Sequence, residues 1–307
     1  MRYMIYALLL SAGVTILLGP VLIPLLKRLK FGQCERELGP KSHLTKQGTP
    51  TMGGLMFIFG ILAGTLAFSL SATELVLPAL LCTVGFALVG FLDDFLKVRC
   101  KNTVGLRAYQ KIIAQFLIAA IVAAYAYKSP FIGPKIYLAF SGLEWDLGVF
   151  YIPFIMFVII ATVNSVNLTD GLDGLSSGVT LIYSLTMGVI FLYLATAMKN
   201  PDGMAQAQQT QYAAELQSMG VFAAAVAGGC LGFLRYNSYP ARVFMGDTGS
   251  LALGGAVAVM AIFSRAVLLL PIMGACFVAS SVSVILQVGS YKTRKKRIFK
   301  MAPLHHH

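Results

Sequence analysis

Asn167-Leu168-Thr169-Asp170-Gly171-Leu172-Asp173-Gly174 is the stretch on which the reading of this chain turns. An apolar run, Val149 to Val166, leads into it, and another begins at Leu175. Two carboxylates therefore stand between two candidate membrane spans. An ionised Asp at the centre of a membrane helix costs roughly 2.5–3.5 kcal/mol on insertion scales. Asp170 and Asp173 are three apart and would share a face on a helix, while Gly171 and Gly174 let a ligand approach the backbone. A polar interfacial turn would account for this stretch taken alone. The pattern recurs, however: Asp93-Asp94 closes one apolar run, and Gly246-Asp247-Thr248-Gly249 opens another.

Of the 307 residues, 57% are hydrophobic and 12% charged, with a mean hydropathy of +0.77. Soluble domains carry about 25% charged residues, so the composition predicts an all-α polytopic membrane protein, a single transmembrane domain over 1–307. Nine apolar runs reach or approach spanning length: 3–26, 52–70, 75–92, 110–127, 149–166, 175–198, 219–234, 250–263 and 266–288. Ser264-Arg265 is the expected turn between the last two, and Pro20, Pro24 and Pro271 are expected to kink their spans. The first run is too long for the core of a cleavable signal and lacks a small-residue cleavage site. The segment 128–147 is expected to form a short hairpin with interfacial aromatics, and the Gln-rich segment 200–217 to be partly helical. The five cysteines show no C-x-x-C spacing; they suggest neither a disulfide framework nor a zinc site.

Loop charge gives the orientation. Nineteen of the 24 Lys and Arg fall in the loops after odd-numbered runs and at the adjoining ends, with seven of the 12 acids. The positive-inside rule puts that face in the cytoplasm and the amino terminus outside. All of the +12 formal charge lies on it. Ordinary topogenesis explains most of the lysines and arginines, but not five aspartates among them at the membrane boundary.

That face also holds every group suited to chemistry. Lys46-Gln47-Gly48-Thr49-Pro50-Thr51-Met52-Gly53-Gly54 could cradle a phosphate or simply turn the chain. Asp93-Asp94 could coordinate a hard cation, act as a base, or cap a helix, with Lys97, Arg107 and Lys111 close by. Asn237, Arg242, Phe244 and Asp247 cluster before the eighth run, and the chain given ends in His305-His306-His307. Carboxylates with Lys, Arg and His point to hard-metal and phosphate chemistry, since Mg²⁺ takes oxygen ligands alongside substrate phosphates. A cation-coupled transporter is the alternative from another class. Against it, these aspartates lie at span ends on one face.

Taken together, Asp93-Asp94, Asn167 to Gly174 and Phe244-Met245-Gly246-Asp247-Thr248-Gly249-Ser250 resemble the polyprenyl-phosphate N-acetylhexosamine-1-phosphate transferase superfamily. Met301-Ala302-Pro303-Leu304-His305-His306-His307 is similar to its phospho-N-acetylmuramoyl-pentapeptide transferase branch. The resemblance covers essentially the whole chain. It implies Mg²⁺-dependent transfer of phospho-MurNAc-pentapeptide from UDP-MurNAc-pentapeptide to undecaprenyl phosphate, giving lipid I and UMP in peptidoglycan biosynthesis. The sister activity on UDP-GlcNAc is the nearest alternative, and the three histidines argue against it. The resemblance further implies that Asp247 binds the metal and that Asp93 and Asp94 are catalytic, one of them the base for the prenyl phosphate. Asn167, Asp170, Gly171, Leu172, Asp173 and Phe244 would form the nucleoside side of the site, with Lys46 and Thr51 beside it. His305, His306 and His307 would serve nucleotide or phosphate binding, and Lys97, Lys111, Asn237 and Gln287 would contribute to substrate binding. Membrane lipid and a second copy in a homodimer are implied partners; nucleic acid is not. The implied location is the bacterial inner membrane, with the site facing the cytoplasm. A tenth helix is expected beyond His307.

Overall fold

The computed structural model describes residues 1–29, 48–69, 72–99, 105–138, 141, 143–197 and 206–306. Its helices, in chain order, are α1 (Arg2–Arg28), α2 (Gly54–Phe68), α3 (Val76–Arg99), α4 (Ala108–Lys128), α5 (Tyr151–Thr169), α6 (Leu175–Ala197), α7 (Gln206–Asn237), α8 (Gly246–Phe263), the one-turn α9 (Leu270–Met273) and α10 (Ala275–Arg294). Eight of them are long and apolar enough to cross a membrane; α2 is apolar but shorter. Helices satisfy their own backbone polar groups, which lipid cannot do. The chain is an all-α polytopic membrane protein.

Helix α8 is the central post: every residue from Thr248 to Phe263 is buried. Among lipid tails, burial of apolar surface drives helix association only weakly, so close packing of small residues matters more. Gly54 of α2 faces Gly249, and Gly90 of α3 lies against the Asp247 carbonyl; a methyl group at either would overlap its neighbour. These two contacts seat the start of α8 between α2 and α3. Helix α1 packs in the same way on α7, where Gly228 lies against the Leu8 carbonyl.

Several boundaries differ from those expected. Helix α8 begins at Gly246 rather than 250, so Asp247 lies in its first turn. Three backbone bonds brace that start: Phe244 N–H donates to Pro50 O, Gly53 N–H to Phe244 O and Gly54 N–H to Met245 O. They hold residues 50–53 outside α2, which is why α2 has 15 residues instead of the full run. Helix α7 runs from Gln206 through the polar segment to Asn237, well beyond 219–234. The run 266–288 is not one span. A 3-10 turn (Val267–Leu269) and α9 precede α10, which reaches Arg294. Pro271 sits in the first turn of α9, where its missing N–H costs nothing, so no span is kinked there. Pro20 and Pro24 lie within a single unbroken α1. At the opposite end of the bundle, β1 (Lys135–Tyr137) and β2 (Glu144–Asp146) form the expected hairpin, with Ile136 opposite Trp145. The turn after α8 lies at Ser264-Arg265, with Arg265 at φ +59°.

Candidate active site

The ends of α3, α4, α5 and α8 meet at one carboxylate. Asp247 Oδ2 accepts hydrogen bonds from Lys97 Nζ (2.8 Å) and Lys111 Nζ (3.0 Å). Its Oδ1 accepts from Asn167 Nδ2 (2.7 Å), which also donates to Ser250 Oγ (2.8 Å). Lys97 reaches back one turn to Asp93 Oδ2 (2.6 Å), and Lys111 lies 3.9 Å from the same oxygen. Asp93 is thus oriented by two ammoniums on one oxygen and by the Leu106 N–H on the other (2.8 Å). Each helix contributes at a terminus, where the sequence leaves its last apolar turn and a charged group can face the membrane boundary.

Asp94, the next residue, does something else. It is 4% exposed, and both of its oxygens are committed to the start of α8. Oδ1 accepts from the Asp247 N–H (3.2 Å), and Oδ2 from the Thr248 N–H (2.9 Å) and Thr248 Oγ1 (2.7 Å). This is an N-terminal helix cap supplied by a neighbouring helix, with a negative charge where the helix dipole favours one. Gly246, at φ +71°, brings the backbone in so closely that a methyl there would meet Asp94 Oδ2 at 2.5 Å and Thr51 Oγ1 at 2.7 Å. Thr51 is buried beside it.

Residues 170–174 form the turn between α5 and α6, with Gly174 at φ +75°. Asp170 is half-buried. Its burial, and then the charges of Asp247, Asp94 and Asp173, push its carboxyl up to about 8. Asp173 Oδ2 accepts the Ala241 N–H (3.0 Å). Asn237 is buried and internally bonded: Oδ1 accepts from the Gly174 N–H and Ser177 Oγ (both 3.1 Å), and Nδ2 donates to Val243 O (3.0 Å). Asp173 and Asn237 therefore fasten this turn to residues 238–245, the loop that carries Phe244 towards α8. Phe244 is half-buried and Leu172 exposed.

The chain after α10 folds back over the same turn. Gln287 holds the return: Oε1 accepts the Ile298 and Phe299 N–H groups (3.0 and 2.9 Å), and Nε2 donates to Phe299 O (2.9 Å). Ser283 Oγ accepts the Leu304 N–H (3.0 Å). The rings of His305 and His306 stand 4.4 Å apart. A methyl on Gly171 would meet their Nε2 atoms at 2.5 and 2.6 Å. Burial, and then His306, hold the His305 imidazole below its ordinary value. Its Nδ1 lies 3.4 Å from Ser280 Oγ, while its Nε2 is buried with no partner among the described residues.

The structure thus gathers Asp93, Lys97, Lys111, Asn167 and Asp247 into one cluster, with Thr51 and Asp94 behind it. Asp170, Gly171, His305 and His306 form its flank. Lys46 and His307 lie outside the described residues. Thr248 and Ser250 were not singled out from the sequence, yet one completes the Asp94 cap and the other steadies Asn167. Their signal was proximity to Asp247 within one helical turn. For a metal, the ligand oxygens of Asp93, Asp94 and Asp247 lie within 4.8 Å of one another. These are hard donors, and the Lys97 ammonium between Asp93 and Asp247 shows that the gap accepts a positive charge. Asp247 and Asp93 have oxygens turned that way; those of Asp94 serve α8.

Carboxylates and ammoniums that converge at the helix ends of a membrane bundle suit phosphate and hard-cation chemistry at the lipid boundary, as a membrane transferase requires. Consistent with it, the family model for glycosyl transferase family 4 matches residues 76–265. Signature 1 of phospho-N-acetylmuramoyl-pentapeptide-transferase matches residues 46–58. Phospho-N-acetylmuramoyl-pentapeptide-transferase of Clostridioides difficile (strain 630) is 46% identical over 302 residues, covering 98% of this chain and 88% of that protein. That of Caldanaerobacter subterraneus subsp. tengcongensis is 48% identical, covering 99% and 89%, and that of Thermoanaerobacter sp. (strain X514) is 48% identical, covering 94% and 84%. The chain belongs to the phospho-N-acetylmuramoyl-pentapeptide transferases of glycosyl transferase family 4, and it is an enzyme of that kind.

Proposed function

We propose that the chain transfers phospho-MurNAc-pentapeptide from UDP-MurNAc-pentapeptide to undecaprenyl phosphate in a bacterial inner membrane, with Mg²⁺ as cofactor and the site facing the cytoplasm. A phosphate oxygen of the acceptor forms a bond to the sugar-bearing phosphorus, the bridge to the second phosphorus breaks, and UMP leaves with the bridging oxygen. The observation that carries this reading is the Asp93–Lys97–Asp247–Lys111 cluster at the helix ends. Asp247 would hold Mg²⁺, which when bound neutralises charge on the pyrophosphate and on the departing UMP. Lys97 and Lys111 sit where they can pair with substrate phosphates once the cation takes their place. Asp93 suits the base that removes the remaining proton from the acceptor phosphate; Asp94 does not, because both its oxygens are occupied by α8. His305, His306, Gly171 and Asp170 would border the nucleotide, with Phe244 as a stacking face.

The reading is tested by incubating the purified protein with radiolabelled UDP-MurNAc-pentapeptide or UDP-GlcNAc, with and without undecaprenyl phosphate and Mg²⁺. Label should enter the lipid phase from the muramoyl donor only, and only with both additions. Lipid-phase label from UDP-GlcNAc would move the chain to the sister activity; none from either donor would remove the transferase reading. Orientation follows from the Lys and Arg distribution. In a background without native cysteines, a cysteine at Asn102 should resist an impermeant thiol reagent in intact cells and one at Gln208 should react; the reverse pattern inverts the site.

A further inference from the structure

One turn deeper into the bundle than Lys111 and Asn167 lies a second polar pair with no part in the chemistry above. Gln115 of α4 is fully buried. Asn164 of α5 donates through Nδ2 to Gln115 Oε1 (2.7 Å) and to Ile160 O (2.8 Å). Gln115 Nε2 lies 3.5 Å from Asn164 Oδ1, closing the amide pair. Among the described residues this is the side-chain hydrogen bond that joins α4 to α5. The bond from Asn164 to the preceding turn fixes its rotamer, so the pair sets how far one helix stands along the other.

The spacing gives that register a consequence. Lys111 precedes Gln115 by four residues on α4, and Asn167 follows Asn164 by three on α5, so each lies on the same helix face as its amide. Lys111 and Asn167 donate to opposite oxygens of Asp247. Sliding α4 against α5 by a single residue, about 1.5 Å, would break one of these bonds. Lipid-exposed apolar faces resist such sliding poorly: α4 leaves Ile113, Phe116, Leu117 and Ile121 exposed to the bilayer side. A buried amide pair resists it well, because a slipped pair leaves polar groups without partners in a medium that supplies none.

We propose that Gln115 and Asn164 are positioning residues, an amide clamp that registers α4 against α5 so that Lys111 and Asn167 converge on Asp247. The catalytic part of this inference rests on the transferase reading; the geometric part does not. The test uses full-length protein carrying Gln115→Leu with Asn164→Leu, Gln115→Asn alone, and the exchange Gln115→Asn with Asn164→Gln. Three quantities are measured: thermal midpoint in detergent, kcat and KM for the nucleotide donor, and acylation of Lys111 by a limiting amine reagent, followed by mass spectrometry. The double Leu variant removes both polar groups together, which is close to neutral for stability. It should keep its midpoint, lose about tenfold in kcat with KM changed less than about twofold, and expose Lys111 to faster acylation. Gln115→Asn shortens the clamp by one methylene and should give a smaller change in the same direction; the exchange restores its length and should recover both kcat and protection. Wild-type kcat and acylation in the double Leu variant would overturn the proposal, as would an exchange that rescues neither. If the double Leu variant fails to fold, the two polar variants decide alone. If the wild type transfers nothing, the acylation series still reads the register.

Discussion

Both ends of this bundle bury carboxylates at helix termini and use them differently. At the hairpin end, Glu215 of α7 is 2% exposed and accepts the N–H groups of Glu74 and Leu75 (3.2 and 2.9 Å), which cap the start of α3. Arg265 pairs with Glu144 (3.1 Å) and reaches Tyr137 Oη (3.2 Å). Glu215, Glu144 and Asp146 there each have a backbone or ion-pair partner. At the other end Asp94 repeats the Glu215 arrangement, a carboxylate from one helix capping another. Asp93 and Asp247 depart from it: Oδ2 of each faces lysine ammoniums, while the Leu106 N–H and the Asn167 amide hold the other oxygen. A carboxylate whose oxygens are held by backbone is part of the fold. One held by lysine side chains can exchange them for a cation or a substrate. The occupant of each oxygen separates scaffold from site, where the count of acids does not.

The sharpest test of the contrast is Asp247→Asn. It keeps size and hydrogen bonding but removes the charge, and turnover should fall at least ~10²-fold, a few kcal/mol of transition-state stabilisation. Asn is itself a good helix-start residue, so a purely capping Asp247 predicts near-normal activity and unchanged Mg²⁺ dependence. Steady-state turnover across a Mg²⁺ titration distinguishes the two.

Asp94→Asn and Glu215→Gln should behave as a pair. Each replaces an acceptor oxygen by an NH₂ facing backbone donors, and each should lower the detergent thermal midpoint in line with roughly 1–2 kcal/mol of lost capping. Asp94→Asn should also slow turnover, because the backbone of Asp247 hangs on it; Glu215→Gln should leave kcat alone. Equal kinetic effects in the two variants would erase the distinction between the ends.

A last test concerns Asp170, a carboxylate with no counterpart among the described residues of the hairpin end. Folding raises it from the ordinary carboxylate value near ~4 to about 8. The folded state therefore binds the proton more tightly, and stability falls as pH rises between those values and levels above them. Without Mg²⁺ or substrate, thermal midpoints of Asp170→Asn should show a shallower decline than wild type from pH 5 to 8, by a few degrees. Parallel profiles would mean that Asp170 is not confined beside the other carboxylates.

Much of this was legible in the chain. Apolar runs between polar punctuation mark the helices because lipid leaves the backbone no other partner. Acids at run ends mark the site because their burial inside hydrocarbon would be costly. The boundaries that failed did so for identifiable reasons. Small residues and a cap extended α8 back to Gly246, and the Gln-rich segment, expected to be partly helical, runs unbroken into α7, whose burial begins at Tyr212. Within the site, Asp93 and Asp94 are indistinguishable in sequence, and both were expected to be catalytic. Their roles diverge only because successive residues on α3 point about 100° apart, one towards Lys97 and Lys111, the other into the first turn of α8. The same holds for Asn237 and Gln287, polar side chains whose hydrogen bonds prove to be internal fastenings. By itself the sequence determined the class of molecule, the number of apolar segments and the set of groups able to do chemistry, since these depend on local transfer free energies. Only the tertiary structure decided which oxygen meets which donor, because that depends on distances between helices far apart in the chain.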